Sequence, residues 1–153
     1  AGRVFRVGDR PGQAQVAKLV NNMISAAAMA TSFEAITMGV KAGLDADVLV
    51  DLVNASTGRS GATLDKFPAS ILPRTFDYGG KLETMYKDVM LCLAEYRARG
   101  VPHHVSAAVC QLWFQGMAEG RGGDDYTSLI KVVERWAGVE VSGRAAREGK
   151  ADV

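Results

Sequence analysis

Between Leu19 and Phe33 the chain carries no charged residue. Around that run Val16, Leu19, Val20, Met23, Ala27, Ala30, Ile36 and Val40 recur at helical spacing, which predicts one helix of roughly 25 to 30 residues starting near Gly12. The uncharged stretch is shorter than a membrane span and contains Asn21, Asn22, Ser25, Thr31 and Ser32, so it reads as a buried helix. It is apolar on most faces, with small residues at Ala26, Ala27 and Ala28, and is therefore expected to be the central element, closely surrounded by other helices. Gly43 is placed to end it.

The remaining chain is read as shorter helices joined by polar breaks. Asp45 is a candidate N-cap for a helix through Val48, Leu49, Leu52 and Val53, and Asn54 to Gly61 is a loop by composition. A weaker helical segment follows around Thr63 to Leu72, and Pro73 to Gly80 is a break anchored by Phe76 and Tyr78. Leu82, Met85, Tyr86, Val89, Met90 and Leu93 predict the next helix, up to Gly100. Pro102 restarts the chain for a helix through Val109, Leu112, Trp113 and Met117, closed by the glycines that follow. Asp124 or Asp125 caps a last helix through Leu129, Ile130, Val132 and Val133 that stops at Gly138. Trp113, Phe114 and Trp136 read as core or subunit-interface residues. The polar stretch 142–153 is expected to be a flexible tail.

A chain of 153 residues fits one domain, and 48% hydrophobic with 23% charged residues is ordinary for a globular protein with a core. The net charge of +1 comes from 18 basic and 17 acidic residues that are scattered, which argues against nucleic acid as a partner. Cys92 and Cys110 lie in apolar helical patterns without CxxC spacing and read as reduced core residues of a cytoplasmic protein. His103 and His104 lack the spacing of a metal site and read as surface residues, so no metal is expected. The loop residues Ser56, Gly58 and Arg59 read as surface too. The opening run through Val4, Phe5, Arg6 and Val7 to Gly8 is of β type but has no later strand to pair with, so it reads as the end of a preceding sheet domain. The N-terminal residues lack an apolar stretch of the length a signal peptide requires, so none is read in them.

Two polar side chains stand out on the long helix. Lys18 and Asn22 are four residues apart and share a face. A solvated lysine is the ordinary reading of such a position, although a cation near a helix N-terminus opposes the macrodipole. Burying an ammonium costs several kcal/mol unless it is paired or deprotonated, so a lysine on an apolar helix is either in solvent or placed for a purpose. Lys87 with Asp88 is, on spacing alone, a neighbouring charge pair on a solvated surface.

The segment Gly12-Gln13-Ala14-Gln15-Val16-Ala17-Lys18-Leu19-Val20-Asn21-Asn22 resembles the G-x-G-x-x-x-K-x-x-N-N segment of the β-hydroxyacid dehydrogenases, with Ala14 in place of one glycine. The resemblance continues through Glu34-Ala35, Gly43-Leu44-Asp45, Asn54 to Ser60, Tyr86-Lys87-Asp88-Val89 and Asp125-Tyr126 to Trp136. It implies an all-α, multi-helix bundle around one long central helix, like the C-terminal domain of 6-phosphogluconate dehydrogenase. It further implies that residues 1–11 are the remnant of the last strand and linker of a Rossmann domain, and that 12–141 is the helical dehydrogenase domain.

By the same resemblance Lys18 is the catalytic acid/base, Asn22 binds substrate, and Lys87 reaches toward the cofactor, NAD or NADP, which a nucleotide-binding half holds for the most part. Asn21 is expected either to touch substrate or to bridge neighbouring helices. The implied partners are a small hydroxy acid or its semialdehyde and further copies of the chain, as a homodimer or higher homo-oligomer, with no membrane. The helical half alone is expected to be inactive. Two alternatives stand beside this reading: an imine-reductase-like relative, which retention of Lys18 opposes, and a non-catalytic helical oligomerisation module.

Overall fold

Helix α1 runs from Gln13 to Lys41, and its buried residues explain its place. Leu19, Met23, Ala26, Ala30 and Phe33 follow one another at intervals of four and three, and with Met29 and Ile36 they are at most 6% exposed. The structure, a computed structural model, describes residues 3–151; Ala1, Gly2, Asp152 and Val153, which belong to the expected strand remnant and tail, lie outside them. Among the described residues every regular element is helical. Helix α1 packs against α2 (Ala46–Ala55), a π-helical segment (Ala62–Ile71), α3 (Leu82–Ala98), α4 (His104–Ala118) and α5 (Ile130–Ala137). By length and apolarity alone α1 also meets the requirement for a membrane span. The encirclement is incomplete, because Val20, Ile24 and Met38 remain 48–66% exposed.

The ends of these helices follow local chemistry. Gly12 enters α1 in the left-handed region, with φ of 86°. At the other end the Gly43 amide reaches the Val40 carbonyl at 2.9 Å and Leu44 reaches Gly39 at 3.1 Å, a Schellman closure with Gly43 at φ 93°. The Asp45 carboxylate caps α2 by accepting from the amides of Asp47 and Val48. The weak segment after Gly61 is π-helical and contains Pro68, which lacks a backbone donor; Leu72 bonds back five residues to Phe67. Phe67 from this segment meets Phe33 of α1 with ring centroids 6.1 Å apart, both fully buried.

Residues 3–8 form no strand, as the lack of a later strand to pair with implies, and Val4 and Phe5 are 97% and 70% exposed. Trp113 is core, whereas Trp136 and Phe114 are 78% and 52% exposed, which leaves the subunit-interface half of the expectation for those two. One expectation changes, that of a flexible tail over 142–153. Val141 and Ser142 are buried, the Gly143 amide donates to the Leu72 carbonyl at 2.8 Å, and α6 follows over Arg144–Ala151. Arg144 donates its amide to Asp47 at 2.7 Å, and the Arg147 guanidinium pairs with Asp45 at 2.6 Å. Buried Glu134 anchors this return by accepting from the Val141 amide and pairing with Arg74.

Candidate functional site

Helices α1 and α3 meet along one side of the bundle, and a single carboxylate joins them. Asp88 of α3 is 2% exposed. Its Oδ2 lies 3.2 Å from Lys18 Nζ and accepts from Asn22 Nδ2 at 2.8 Å, while its Oδ1 is 3.3 Å from Lys87 Nζ. Lys18 and Lys87 are 53% and 60% exposed at the side chain, so both ammonium groups stand at the mouth of the site with their counter-ion beneath them. Burial pushes the Asp88 carboxyl up, but the hydrogen bonds from Lys18, Asn22 and Lys87 outweigh it and hold the group below the ordinary carboxylate range. Asp88 is therefore an anion at neutral pH.

The pairing of Lys18 with Asn22 follows from one helical turn of α1. Asn22 spends one N–H on Asp88 and one acceptor lone pair on Asn21, leaving a second N–H and one lone pair. Asn21 is exposed and donates to Asn22 Oδ1 at 3.3 Å, so in this structure it braces Asn22. The Lys87–Asp88 pair departs from the solvated surface that spacing alone predicts: Lys87 is exposed, but Asp88 is buried and serves both lysines.

Beside Asn22 and Asp88 opens a cavity of about 90 Å³, also lined by Gly80, Lys81, Thr84, Met85 and Tyr126. Its rim is held by Asp125, whose Oδ2 accepts from the amides of Gly79 at 2.8 Å and Gly80 at 3.1 Å. The Asp125 Oδ1 accepts from the Thr127 amide at 2.9 Å and so caps a 3₁₀ turn over Tyr126–Leu129. Burial raises the Asp125 carboxyl, and its bonds to Thr127, Gly79 and Gly80 more than reverse this. Tyr126 has its phenol pushed well up, first by burial and then by Tyr78 and Asp125, so it stays neutral. Spacing alone did not mark Asp88 and this cavity wall as a site; their sequence signals were the Tyr86-Lys87-Asp88-Val89 and Asp125-Tyr126 resemblances.

The other singled-out residues lie elsewhere. Ser56, Gly58 and Arg59 are exposed in the loop after α2. His103 stacks on Tyr96 at 5.5 Å between ring centroids. Among the described residues no three of His, Cys, Asp and Glu gather as a metal site. Cys92 and Cys110 are buried free thiols, and burial pushes both up.

A helical domain that presents two lysines and an asparagine on one buried carboxylate can hold an anionic ligand and move a proton at Lys18 Nζ. Over residues 12–133 the chain matches the family described as NAD-binding of NADP-dependent 3-hydroxyisobutyrate dehydrogenase, and it belongs to that family. It is 34% identical over 140 residues to a 2-(hydroxymethyl)glutarate dehydrogenase of Eubacterium barkeri, covering 92% of this chain and 46% of that protein. It is 29% identical over 145 residues to an L-threonate dehydrogenase of Cupriavidus necator, covering 95% and 48%. A solved 3-hydroxyisobutyrate dehydrogenase of Mycobacterium tuberculosis, determined with L-serine, superposes with a TM-score of 0.79 at 25% identity, covering 87% of this chain and 47% of that one. The chain spans about half the length of the curated relatives it matches.

Proposed function

We propose that this chain is the helical, 6-phosphogluconate dehydrogenase-like half of an NAD(P)-dependent oxidoreductase for a small β-hydroxy acid or its semialdehyde, with Lys18 as general acid/base. The observation that supports it most is the convergence of Lys18, Asn22 and Lys87 on buried Asp88. A nicotinamide cofactor would supply hydride transfer to or from the carbon bearing the hydroxyl, and the exposed Lys87, anchored on Asp88, would be one of the residues that hold it.

In reduction the Lys18 ammonium gives its proton to the developing alkoxide and is left as the neutral amine; in oxidation it is that neutral amine that takes the hydroxyl proton and becomes the ammonium paired with Asp88. The Asp88 carboxylate fixes where Nζ sits, and Asn22 presents its free N–H to the substrate without adding charge. Asn21 supports Asn22. The names of two relatives, a 2-(hydroxymethyl)glutarate dehydrogenase and an L-threonate dehydrogenase, support trying small hydroxy acids first. The exposed α1 stripe of Val20 and Ile24 supports assembly into a homodimer or higher homo-oligomer. The helical half alone is inactive on this reading.

The test is Lys18→Ala in the full-length protein, with reduced cofactor followed at 340 nm for 3-hydroxyisobutyrate, L-threonate and 2-(hydroxymethyl)glutarate. Turnover should fall by about 10²- to 10⁴-fold while cofactor affinity is retained. Unchanged turnover removes Lys18 from the chemistry.

A further inference from the structure

The cavity beside Asn22 and Asp88, of about 90 Å³, opens against the carboxylate that holds Lys18 and the amide that donates to that carboxylate. Its walls are the Tyr126 ring, Met85, Thr84 and the stem of Lys81. Tyr126 lies against the Gly80 backbone so closely that a Cβ there would fall 2.4 Å from Tyr126 Cε1. The rim is rigid: Leu82 donates to Asp124 at 2.9 Å, Tyr126 donates to Gly80 at 2.8 Å, and Asp125 grips the amides of Gly79 and Gly80. At this rim sits Lys81, 65% exposed, with an ion pair to Glu83 at 3.4 Å that is itself half in solvent. Such a pair is weak and readily gives way to a better anion.

We propose that this cavity is the subsite for the arm of the substrate remote from the reacting carbon, and that Lys81 selects hydroxy acids whose arm ends in a second carboxylate. The proposal rests on the dehydrogenase reading. A short methylene arm lies against Met85 and the Tyr126 ring, and its terminal carboxylate takes the Lys81 ammonium from Glu83. The remainder of the ligand passes Asn22 and reaches Lys18 Nζ outside the cavity. A substrate without the second charge leaves Lys81 on Glu83 and gains only the contact of its arm.

Glutarate and butyrate, equally short in their methylene arms but differing by one carboxylate, are titrated calorimetrically into the full-length protein. Glutarate should bind more tightly. Lys81→Met, which keeps the stem, should weaken glutarate about five- to tenfold and leave butyrate unchanged, whereas Glu83→Gln should tighten glutarate. Equal loss for both ligands in Lys81→Met, no preference for glutarate in the unaltered protein, or weaker glutarate binding in Glu83→Gln each overturns the assignment. Binding is read without turnover, so a failure here is separate from a failure of Lys18→Ala to affect catalysis.

Discussion

Replacing Asp88 with asparagine removes the charge on which the site converges while keeping the side chain's shape. The cost is set by which partner is buried. The Asp88 side chain is 3% exposed, but Lys18 and Lys87 are 53% and 60% exposed, so both ammonium groups return to water when the carboxylate is lost. The Asn22 amide can still donate to the new amide oxygen, so the loss is the charge assistance of that bond and two screened ion pairs, about 1–2 kcal/mol. The reverse change is worse: in Lys18→Met with Lys87→Met the carboxylate stays buried with only Asn22 beside it, at a cost of about 3–5 kcal/mol.

The two variants also differ in their response to acid. In the unaltered protein the folded Asp88 carboxyl lies below its ordinary value of 3.8, so its contribution is present above that value and is lost as pH falls through the folded one. In the double lysine variant burial dominates, the folded carboxyl lies above 3.8, and stability rises as pH falls toward it. Urea unfolding followed by far-UV circular dichroism at pH 7, 5 and 4 measures both effects. An Asp88→Asn variant at least as unstable as the double variant, or a double variant with the unaltered acid response, refutes the reasoning. On the proposed dehydrogenase reading Asp88→Asn should also displace the pH–rate profile, which a purely structural residue would not do.

Gly143→Val should detach α6, because a Cβ there would meet Asp47 Oδ1 at 2.9 Å and Leu72 Cβ at 3.0 Å; limited proteolysis after Ser142 should accelerate, and an unchanged cleavage pattern would contradict the docking. Phe33→Ala should destabilise by about 3–5 kcal/mol in urea unfolding, since the ring is fully buried against Phe67. The depressed Asp125 carboxyl stabilises the Gly79–Lys81 rim above pH 3.8 and loses that effect as pH falls through its folded value. Asp125→Asn should therefore flatten the acid limb of the stability curve, and an unaltered limb would argue against it.

The long helix, its glycine boundaries and the Lys18/Asn22 face were legible in the chain because they depend on contacts within a few residues: apolar spacing, a Schellman closure at Gly43, one helical turn between two side chains. The Asp45 and Gly138 boundaries were legible for the same reason. Asp88 was not, since a Lys-Asp neighbour pair looks solvated from sequence, and its burial depends on α1 reaching it across 66 residues. The return of Val141 to Arg147 was hidden in the same way: a polar, small-residue stretch becomes ordered only because Leu72, Asp47, Asp45 and Glu134, distant in the chain, offer it partners. Sequence alone thus determined which residues form the helices and that a lysine and an asparagine share a face. The tertiary structure decided which carboxylate holds them, because the energy of burying a charge depends on neighbours that no local pattern records.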